Sequence, residues 1–218
     1  MTYFEKELLN KAFDSNWISP NGPDIDIFEN NISKYLRTES SCALSSGTAA
    51  LHLALNILGV KKNDIVLCSS LTFIASANSI IYQGAKPVFI DSDPKHWTLD
   101  LQSLETAMIK YKPKVLISVD IYGQSCNYKE IVYLCNKYHV LLIEDAAESL
   151  GSEYYKTKCG SFGDIGIISF NGNKIITTSS GGLLTSNNIN YVKRARFLST
   201  QARENVLHYE HKEIGFNY

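Results

Sequence analysis

The chain has 218 residues, of which 44% are hydrophobic and 20% charged, and its formal net charge is −1. These values are typical of a globular protein with a sizeable core, and the near-neutral charge gives no reason to expect binding to nucleic acid or to an anionic membrane. No apolar run approaches the roughly 20 residues that cross a bilayer, the first residues lack a signal-peptide pattern, and the five cysteines contain no CxxC pair. We therefore expect a cytoplasmic protein with reduced thiols.

The N-terminal segment is predicted to form two helices joined by a rigid turn. Residues 3–13 form the first helix, and residues 24–36 carry apolar side chains at helical spacing. The turn at 16–23 contains two prolines and a glycine beside Trp17. The tryptophan either packs as a plug or is presented to a ligand, and the residues alone favour the plug.

Residues 43–55 predict a brief strand, a turn of small residues and a helix. Free backbone N–H groups at the start of this helix, beside the hydroxyls of Ser46 and Thr48, form an anion pocket suited to a phosphate. The alternative is an ordinary well-capped helix. The chain lacks the patterns GxGxxG and GxxxxGK[ST], which argues against a dinucleotide site or a P-loop.

From this point strands and helices alternate. Six apolar runs have the composition of strands buried on both faces: 65–68, 88–90, 115–119, 141–143, 165–170 and 183–185. Helical segments are predicted between most of them, at 74–82, 101–110 and 128–138. This alternation predicts an α/β fold with a mostly parallel sheet flanked by helices, and ligands at the carboxyl ends of the strands. Polar residues and an aromatic one follow those ends: Thr72, Phe73, Asp91, Asp120, Glu144 and Asp145.

Two of the polar residues are candidates for chemistry. Asp145 ends a hydrophobic strand before two alanines, so it is desolvated and needs a cationic partner, although aspartate is also a common helix N-cap. Lys174 follows the strand 165–170 and an Asn-Gly-Asn turn, where a lone lysine is ordinarily a solvated surface charge. Gly181 and Gly182 let the backbone pass close to something bulky. We expect Asp145 and Lys174 to converge at one edge of the sheet.

Three blocks of the chain resemble the signature blocks of the DegT/DnrJ/EryC1/StrS sugar aminotransferases: 45–51, 144–148 and 169–174. These are fold type I enzymes that depend on pyridoxal 5′-phosphate (PLP). The resemblance extends from about Trp17 to the last residue. Residues 170–178 and 199–205 are most similar to aminotransferases of UDP-4-keto-6-deoxy-N-acetylhexosamines, such as those of the bacillosamine pathway. The resemblance implies that residues 1–218 are the PLP-binding large domain, without the small C-terminal domain that relatives have.

The resemblance also implies roles for the residues of these blocks. Lys174 would hold the cofactor covalently and move a proton, and Asp145 would keep the pyridine nitrogen protonated. Phe73 would stack on the ring, and the phosphate would be held by Gly47, Thr48 and Ser169. The sugar-nucleotide side would comprise Asn16, Trp17, Ile18 and Ser46, with Asn217 reaching the site of a partner subunit. No metal is expected, because His208 and His211 have too few companions to form a site.

Two positions depart from the family pattern. Glu148 stands where many relatives have glutamine or histidine beside the phenolic oxygen of the cofactor, and we hypothesise that it keeps a proton, with a raised pKa, to donate there. Ser180 stands where similar enzymes have a third glycine, which would strain the backbone if that residue needs a positive φ.

The implied reaction moves an amino group from L-glutamate to the C4 ketone of a nucleotide-linked 4-keto-6-deoxy sugar, with a UDP-linked N-acetylhexosamine favoured. Lys174 supports it, since related dehydratases of the same fold have histidine there. The resemblance also implies a homodimer with shared active sites when the protein is full length. The alternative is a truncated, non-catalytic remnant that binds PLP weakly or not at all.

Overall fold

A computed structural model of the chain describes residues 2–17, 19 and 21–218. Within the described residues, the α-helices are α1 (Tyr3–Asp14), α2 (Pro23–Leu36), α3 (Gly47–Ile57), α4 (Ile74–Tyr82), α5 (Leu101–Tyr111), α6 (Tyr128–Tyr138) and α7 (Ile189–Ser199), and a 3-10 turn spans Ile121–Gly123. The strands of the main sheet are β1 (Ser40–Leu44), β2 (Ile65–Ser69), β3 (Lys86–Ile90), β4 (Val115–Val119), β5 (Leu141–Asp145), β8 (Ile165–Ser169) and β9 (Gly182–Ser186). A small hairpin is formed by β6 (Glu153–Tyr154) and β7 (Thr157–Lys158).

The seven strands of the main sheet lie in the order β1-β9-β8-β5-β4-β2-β3. The pairs from β8 to β3 are parallel, and β9 runs antiparallel to both of its neighbours. The prediction of a mostly parallel α/β sheet is therefore confirmed. Because β1 has the same direction as β8, the carboxyl ends of β1, β2, β4, β5 and β8 meet at one edge of the sheet.

Two hydrophobic layers cover the two faces of the sheet. One packs α3, α4 and α7 against side chains such as Ile117 and Ile167, and the other packs α2, α5 and α6 against their strand neighbours, Leu116 and Ile168. Successive strand residues thus enter opposite layers, which is why the central strands are apolar at most positions rather than alternating with polar residues.

The predicted elements agree with the observed ones, with small shifts at their ends. The strand predicted at 141–143 continues to Asp145, so Glu144 and Asp145 belong to β5 rather than follow it. Their backbones pair with Ser118 and Val119 of β4. The strand predicted at 165–170 ends one residue earlier, at Ser169.

The N-terminal turn differs from the prediction. The expectation that Trp17 packs as a plug is wrong, because 57% of the side chain is exposed and its indole N–H donates to the carbonyl of Asn21 in the same turn. Helix α1 begins with a capping box between Thr2 and Glu5, yet none of its residues is buried. In the part of the chain that the structure describes, no helix has the length and apolar character needed to cross a membrane.

Glu144 is a fully buried carboxylate that holds a loop to the sheet. Its Oε1 accepts from the N–H of Gly160, and its Oε2 accepts from Phe162 N at 2.7 Å and Gly163 N at 3.4 Å. Burial, together with the nearby charge of Asp120, raises the pKa of Glu144 to about 8. One carboxylate oxygen of Asp120, one of Glu144 and the Sγ atom of Cys159 all lie within 4.8 Å of one another.

The raised pKa of Glu144 predicts a pH-dependent stability. Because the pKa is higher in the folded chain than in the unfolded one, the stabilisation is complete below the unfolded pKa and is lost as pH rises towards 8. From this group alone, the free energy of unfolding should fall by at most about 1.4 kcal/mol per pH unit between about pH 5 and pH 8. Denaturant titrations at a series of pH values should show a smaller change in the free energy of unfolding per pH unit in Glu144→Gln. Glu105→Gln is the control, since Lys137 and Tyr138 lower the pKa of that exposed carboxyl, and an unchanged slope in Glu144→Gln would contradict the assignment.

Candidate active site

A pocket of about 300 Å³ opens at the carboxyl edge of the sheet. Eight of the residues predicted from the sequence line it: Ser46, Gly47, Thr48, Phe73, Asp145, Glu148, Ser169 and Lys174. They come from four places in the chain, after β1, after β2, at the end of β5 and around the end of β8. The parallel topology brings them together, as the sequence predicts for Asp145 and Lys174.

One side of the pocket is the start of α3. Ser46 is the N-cap of this helix, and its Oγ accepts from Ala49 N at 3.0 Å. The first N–H groups of a helix have no acceptor inside the helix, so Gly47 and Thr48 present a partial positive charge to the pocket. The hydroxyl of Ser169 lies opposite, since a Cβ on Gly47 would stand 3.4 Å from it. This is the geometry expected of a phosphate site.

Close backbone contacts hold that helix start in place. A Cβ on Gly182 would stand 2.2 Å from the carbonyl carbon of Ser46, and a Cβ on Gly47 would stand 3.1 Å from the Cβ of Ser169. The bulky group that Gly182 must pass is therefore the chain itself at Ser46. Side chains at these two positions would push α3 away from β8 and β9.

Asp145 is the acid of the pocket, and only 5% of it is exposed. Its Oδ2 accepts from Ser76 Oγ at 2.7 Å, and its Oδ1 accepts from Ala147 N at 3.3 Å. Burial raises the pKa of Asp145, while those two hydrogen bonds and the charge of Lys174 act to lower it. The expected cationic partner is thus a nearby charge rather than a direct contact, since the hydrogen-bond donors are neutral.

The amine of Lys174 contacts Glu148 instead. The Nζ atom lies 3.3 Å from Glu148 Oε1, and 13% of the lysine side chain is exposed. The other oxygen, Oε2, accepts from Tyr122 N at 2.7 Å. Glu148 is the acceptor in both contacts. The hypothesis that it keeps a proton beside bound cofactor stays a prediction.

Phe73 and Ser180 occupy the rim of the pocket. Phe73 precedes α4 and is 66% exposed, so its ring is free to stack, and that role stays a prediction. The backbone of Ser180 is not strained, because the positive φ angles in this loop belong to its neighbours Ser179 (71°) and Gly181 (142°). Ser180 Oγ instead donates to the carbonyl of Ser45 at 2.8 Å.

Of the remaining predicted residues, Asn16, Trp17 and Asn217 lie outside this pocket. Asn16 and Trp17 are on the turn after α1, and Ile18 falls outside the described residues. Asn217 lines a separate cleft of about 500 Å³, together with Arg196 and Tyr218. Their roles towards the sugar nucleotide and towards a partner subunit stay predictions.

Asp120 and Ser76 contribute to this region although neither is among the predicted site residues. Asp120, expected near ligand, is buried and accepts from Tyr128 Oη at 2.8 Å and Ser149 Oγ at 2.9 Å, so it holds the fold beneath the pocket. Ser76 was not foreseen, although it is the hydroxyl that contacts Asp145. Its only signal in the sequence is its position three residues after Phe73, in the first turn of α4.

Removing the Ser76 hydroxyl should weaken the acid of the pocket. In Ser76→Ala, Asp145 loses a hydrogen bond that favours its ionised form, so its pKa should rise further and the pH profile of cofactor binding should move upwards. We expect a loss of cofactor affinity of roughly fivefold to tenfold, measured by absorbance titration. Ser79→Ala is the matched control, because that buried hydroxyl lies on the same helix and donates to Ser76 O instead. Equal effects of the two substitutions would contradict the role of Ser76.

The fold and the pocket define a class, the cofactor-binding domain of PLP-dependent transferases. The family model of the DegT/DnrJ/EryC1/StrS aminotransferases matches residues 1–218, and the chain belongs to this family. PLP is the cofactor that membership assigns to the site.

Three relatives illustrate the range of the family. The chain is 51% identical to "Putative pyridoxal phosphate-dependent aminotransferase EpsN" of Bacillus subtilis (strain 168), with 98% of the chain and 56% of the relative covered. It is 40% identical to GDP-perosamine synthase of Escherichia coli O157:H7, with 100% and 60% covered. It is 37% identical to UDP-4-amino-4,6-dideoxy-N-acetyl-beta-L-altrosamine transaminase of Campylobacter jejuni subsp. jejuni serotype O:23/36 (strain 81-176), with 97% and 57% covered. The chain thus spans 56–60% of the length of these relatives.

Solved structures agree with the sequence comparisons. The PMP form of "Putative sugar aminotransferase Spr1654" from Streptococcus pneumoniae superposes with a TM-score of 0.93 at 27% identity, covering 99% of this chain and 59% of that one. The PLP form of the same protein gives a TM-score of 0.92 at 27% identity, with 99% and 60% covered. The match to both forms supports the same fold for the cofactor-binding part.

Proposed function

We propose that residues 1–218 are the PLP-binding large domain of a sugar-nucleotide aminotransferase, which the small C-terminal domain of longer relatives would complete. The observation that carries the proposal is that Lys174 and the buried Asp145 line one pocket beside the start of α3. An amine, a buried acid and a helix N-terminus are the three groups that the aldehyde, ring nitrogen and phosphate of PLP require.

The donor set of the pocket fits this cofactor. Asp145 is buried with only neutral hydrogen-bond donors, so a protonated ring nitrogen would supply the positive charge that it lacks. Gly47, Thr48 and Ser169 would hold the phosphate, and Phe73 would lie against the ring. Bound PLP supplies an electron sink, which lets an amino group pass from a donor to a ketone.

The residues of the chain then have separate tasks. Lys174 would hold the cofactor and, once released from it, move a proton at its Nζ atom between donor, cofactor and sugar. Glu148, 3.3 Å away, would orient that amine and face the phenolic oxygen of the cofactor. Ser76 would keep Asp145 ionised, so that a proton stays on the ring nitrogen.

The proposed acceptor is the C4 ketone of a 4-keto-6-deoxy sugar linked to a nucleotide, and the proposed donor is L-glutamate. A UDP-linked N-acetylhexosamine is favoured by residues 170–178 and 199–205, and the relative named for a UDP-linked aminosugar supports it. The relative named for GDP-perosamine supports the broader sugar class and leaves GDP as the competing nucleotide.

The proposed working form is a cytoplasmic homodimer with shared active sites. The five cysteines are free and buried, which agrees with a reducing compartment. The second candidate function is that of a non-catalytic remnant that binds PLP weakly or not at all.

An amination assay separates these two functions. The chain is incubated with PLP, L-glutamate and a panel of UDP-, GDP- and dTDP-linked 4-keto-6-deoxy sugars, and products are identified by mass spectrometry. The proposal expects amination to be fastest with the UDP-linked N-acetyl sugar. Absence of a band of lysine-bound PLP, with no amination of any panel member, would favour the remnant, and a preference for GDP-linked sugar would overturn the nucleotide assignment alone.

A further inference from the structure

Two hydroxyl groups connect the rim of the pocket to its buried acid. Thr72 lines the pocket and is half-buried, and its Oγ1 lies 2.8 Å from Ser76 Oγ. Ser76 is fully buried, and its Oγ lies 2.7 Å from Asp145 Oδ2. Residues 72 and 76 are four positions apart across the start of α4, which brings their hydroxyls together. We call the line of groups from Thr72 through Ser76 to Asp145 the hydroxyl path.

The hydrogen bonds of the hydroxyl path can run in either direction. An ionised Asp145 can only accept, so Ser76 then donates to Asp145 and Thr72 donates to Ser76. A protonated Asp145 donates to Ser76, and Ser76 then donates to Thr72. The hydrogen of Thr72 is not stranded in that case, because the carbonyl oxygen of Phe73 lies 3.1 Å from Thr72 Oγ1 and accepts it. Every hydroxyl hydrogen of the path therefore has an acceptor in both protonation states of the acid.

Among the described residues, no other group that is hydrogen-bonded to this carboxyl can pass on a proton. The second oxygen of Asp145, Oδ1, accepts from the backbone N–H of Ala147 at 3.3 Å, and an amide hydrogen is not relayed in this way. Only 5% of Asp145 is exposed. A cofactor ring whose nitrogen pairs with Asp145 would cover that remaining surface. Protons would then reach the acid from the rim only through Ser76.

The charged and titratable groups around Asp145 do not replace the hydroxyl path. Burial raises the pKa of Asp145, the charge of Lys174 lowers it and the charge of Asp120 raises it. On β2, burial and the charge of Asp145 raise the pKa of Cys68 to about 12. In the described part of the chain, none of these three side chains is hydrogen-bonded to the carboxyl of Asp145. They affect how readily the acid binds a proton, whereas the hydroxyl path provides the route.

We propose that Thr72 is a relay residue, which passes protons between the pocket rim and Asp145 through Ser76. The inference rests on the proposed function and deepens it, because Asp145 there keeps a proton on the ring nitrogen. In the inward step, a hydronium ion gives a proton to Thr72 Oγ1 and becomes water. The hydrogen of Thr72 moves to Ser76 Oγ, and the hydrogen of Ser76 moves to Asp145 Oδ2. Each hydroxyl oxygen that loses a hydrogen gains one, so the net result is one proton on Asp145.

Carbon-13 NMR of the cofactor-free chain, with labelled aspartate carboxyl groups, tests the relay. The signal of Asp145 is the one that disappears in Asp145→Asn. Its titration midpoint measures how readily the acid binds a proton, and its line width at the midpoint measures how fast the proton exchanges. Thr72→Val removes the hydroxyl at nearly constant shape, so we expect exchange to slow by at least about tenfold and the line to broaden. The midpoint should move less than in Ser76→Ala, which removes the direct donor.

Three further variants separate a relay from a general structural effect. Thr72→Ser keeps the hydroxyl and should restore the narrow line. Thr106→Val is the matched control and should leave the signal unchanged, because Thr106 Oγ1 donates to Gln102 O at 2.8 Å on α5, outside the pocket. The double variant of Thr72→Val and Ser76→Ala should give a line no broader than Ser76→Ala alone, since the two hydroxyls act in series.

Four results would each overturn the relay: an unchanged line width in Thr72→Val, extra broadening in the double variant, a broad line in Thr72→Ser, or a carboxyl that stays ionised at every pH. These NMR measurements need neither cofactor nor substrate. Normal amination with unchanged line widths would reject the relay alone. The expected line widths without a cofactor band or amination would reject the proposed function alone.

Discussion

Replacing Lys174 by alanine is expected to abolish the near-visible absorption band of lysine-bound PLP and to lower the amination rate by at least about a thousandfold. The amine lies in the pocket with 13% of its side chain exposed, and none of the other described residues that line the pocket is a lysine. Absorbance scans after PLP addition, followed by the amination assay, measure both effects.

Lys158→Ala is the matched control for this substitution. Lys158 also forms an ion pair with a glutamate, since its Nζ lies 2.7 Å from Glu153 Oε1, but it stands on the small hairpin away from the pocket. The control should keep both the band and the rate. A band that survives in Lys174→Ala would reject Lys174 as the residue that holds the cofactor.

Asp145→Asn is expected to lower the amination rate by about a thousandfold, because a neutral amide cannot hold the proton on the ring nitrogen. The same substitution should stabilise the cofactor-free chain at neutral and alkaline pH. Burial raises the pKa of Asp145, so its contribution to folding is lost as pH rises through the folded pKa, and asparagine avoids that loss. Denaturant titrations over a pH series measure the second effect.

Asp164→Asn is the control for Asp145. Its Oδ2 accepts from Leu142 N at 2.8 Å near the opposite end of β5, outside the pocket. It should leave the cofactor band and the rate unchanged. An active Asp145→Asn enzyme, or one whose stability gain does not grow with pH, would contradict the role assigned to the buried acid.

Much of the fold was predictable because strands buried on both faces are apolar at most positions. The convergence of Asp145 and Lys174 followed from the same pattern, since residues at the ends of neighbouring parallel strands must share an edge. The reversed direction of β9 was not predictable from composition, because antiparallel and parallel central strands bury the same residues.

Other features depend on contacts that a single sequence does not contain. Whether Trp17 is exposed depends on which side chains pack against its turn. Whether Lys174 pairs with Glu148 depends on the reach of their two side chains. Ser76 escaped prediction because a serine within the first turn of a helix has no distinctive pattern. The family resemblance supplied roles for individual residues that residue chemistry alone left open.

The pairing of β1 with β9 joins residues 40–44 to residues 182–186. Contacts so distant in sequence form late, since the loop entropy between them must be overcome before any pairing energy is gained. Gly47 lies against Ser169 of β8 and Ser46 lies against Gly182 of β9, so the phosphate side of the pocket needs segments from both halves of the chain and cannot be complete while only the first half has been synthesised. A cofactor that binds only the completed pocket shifts the folding equilibrium towards the folded chain. Its absorbance then measures the fraction of chains that have folded.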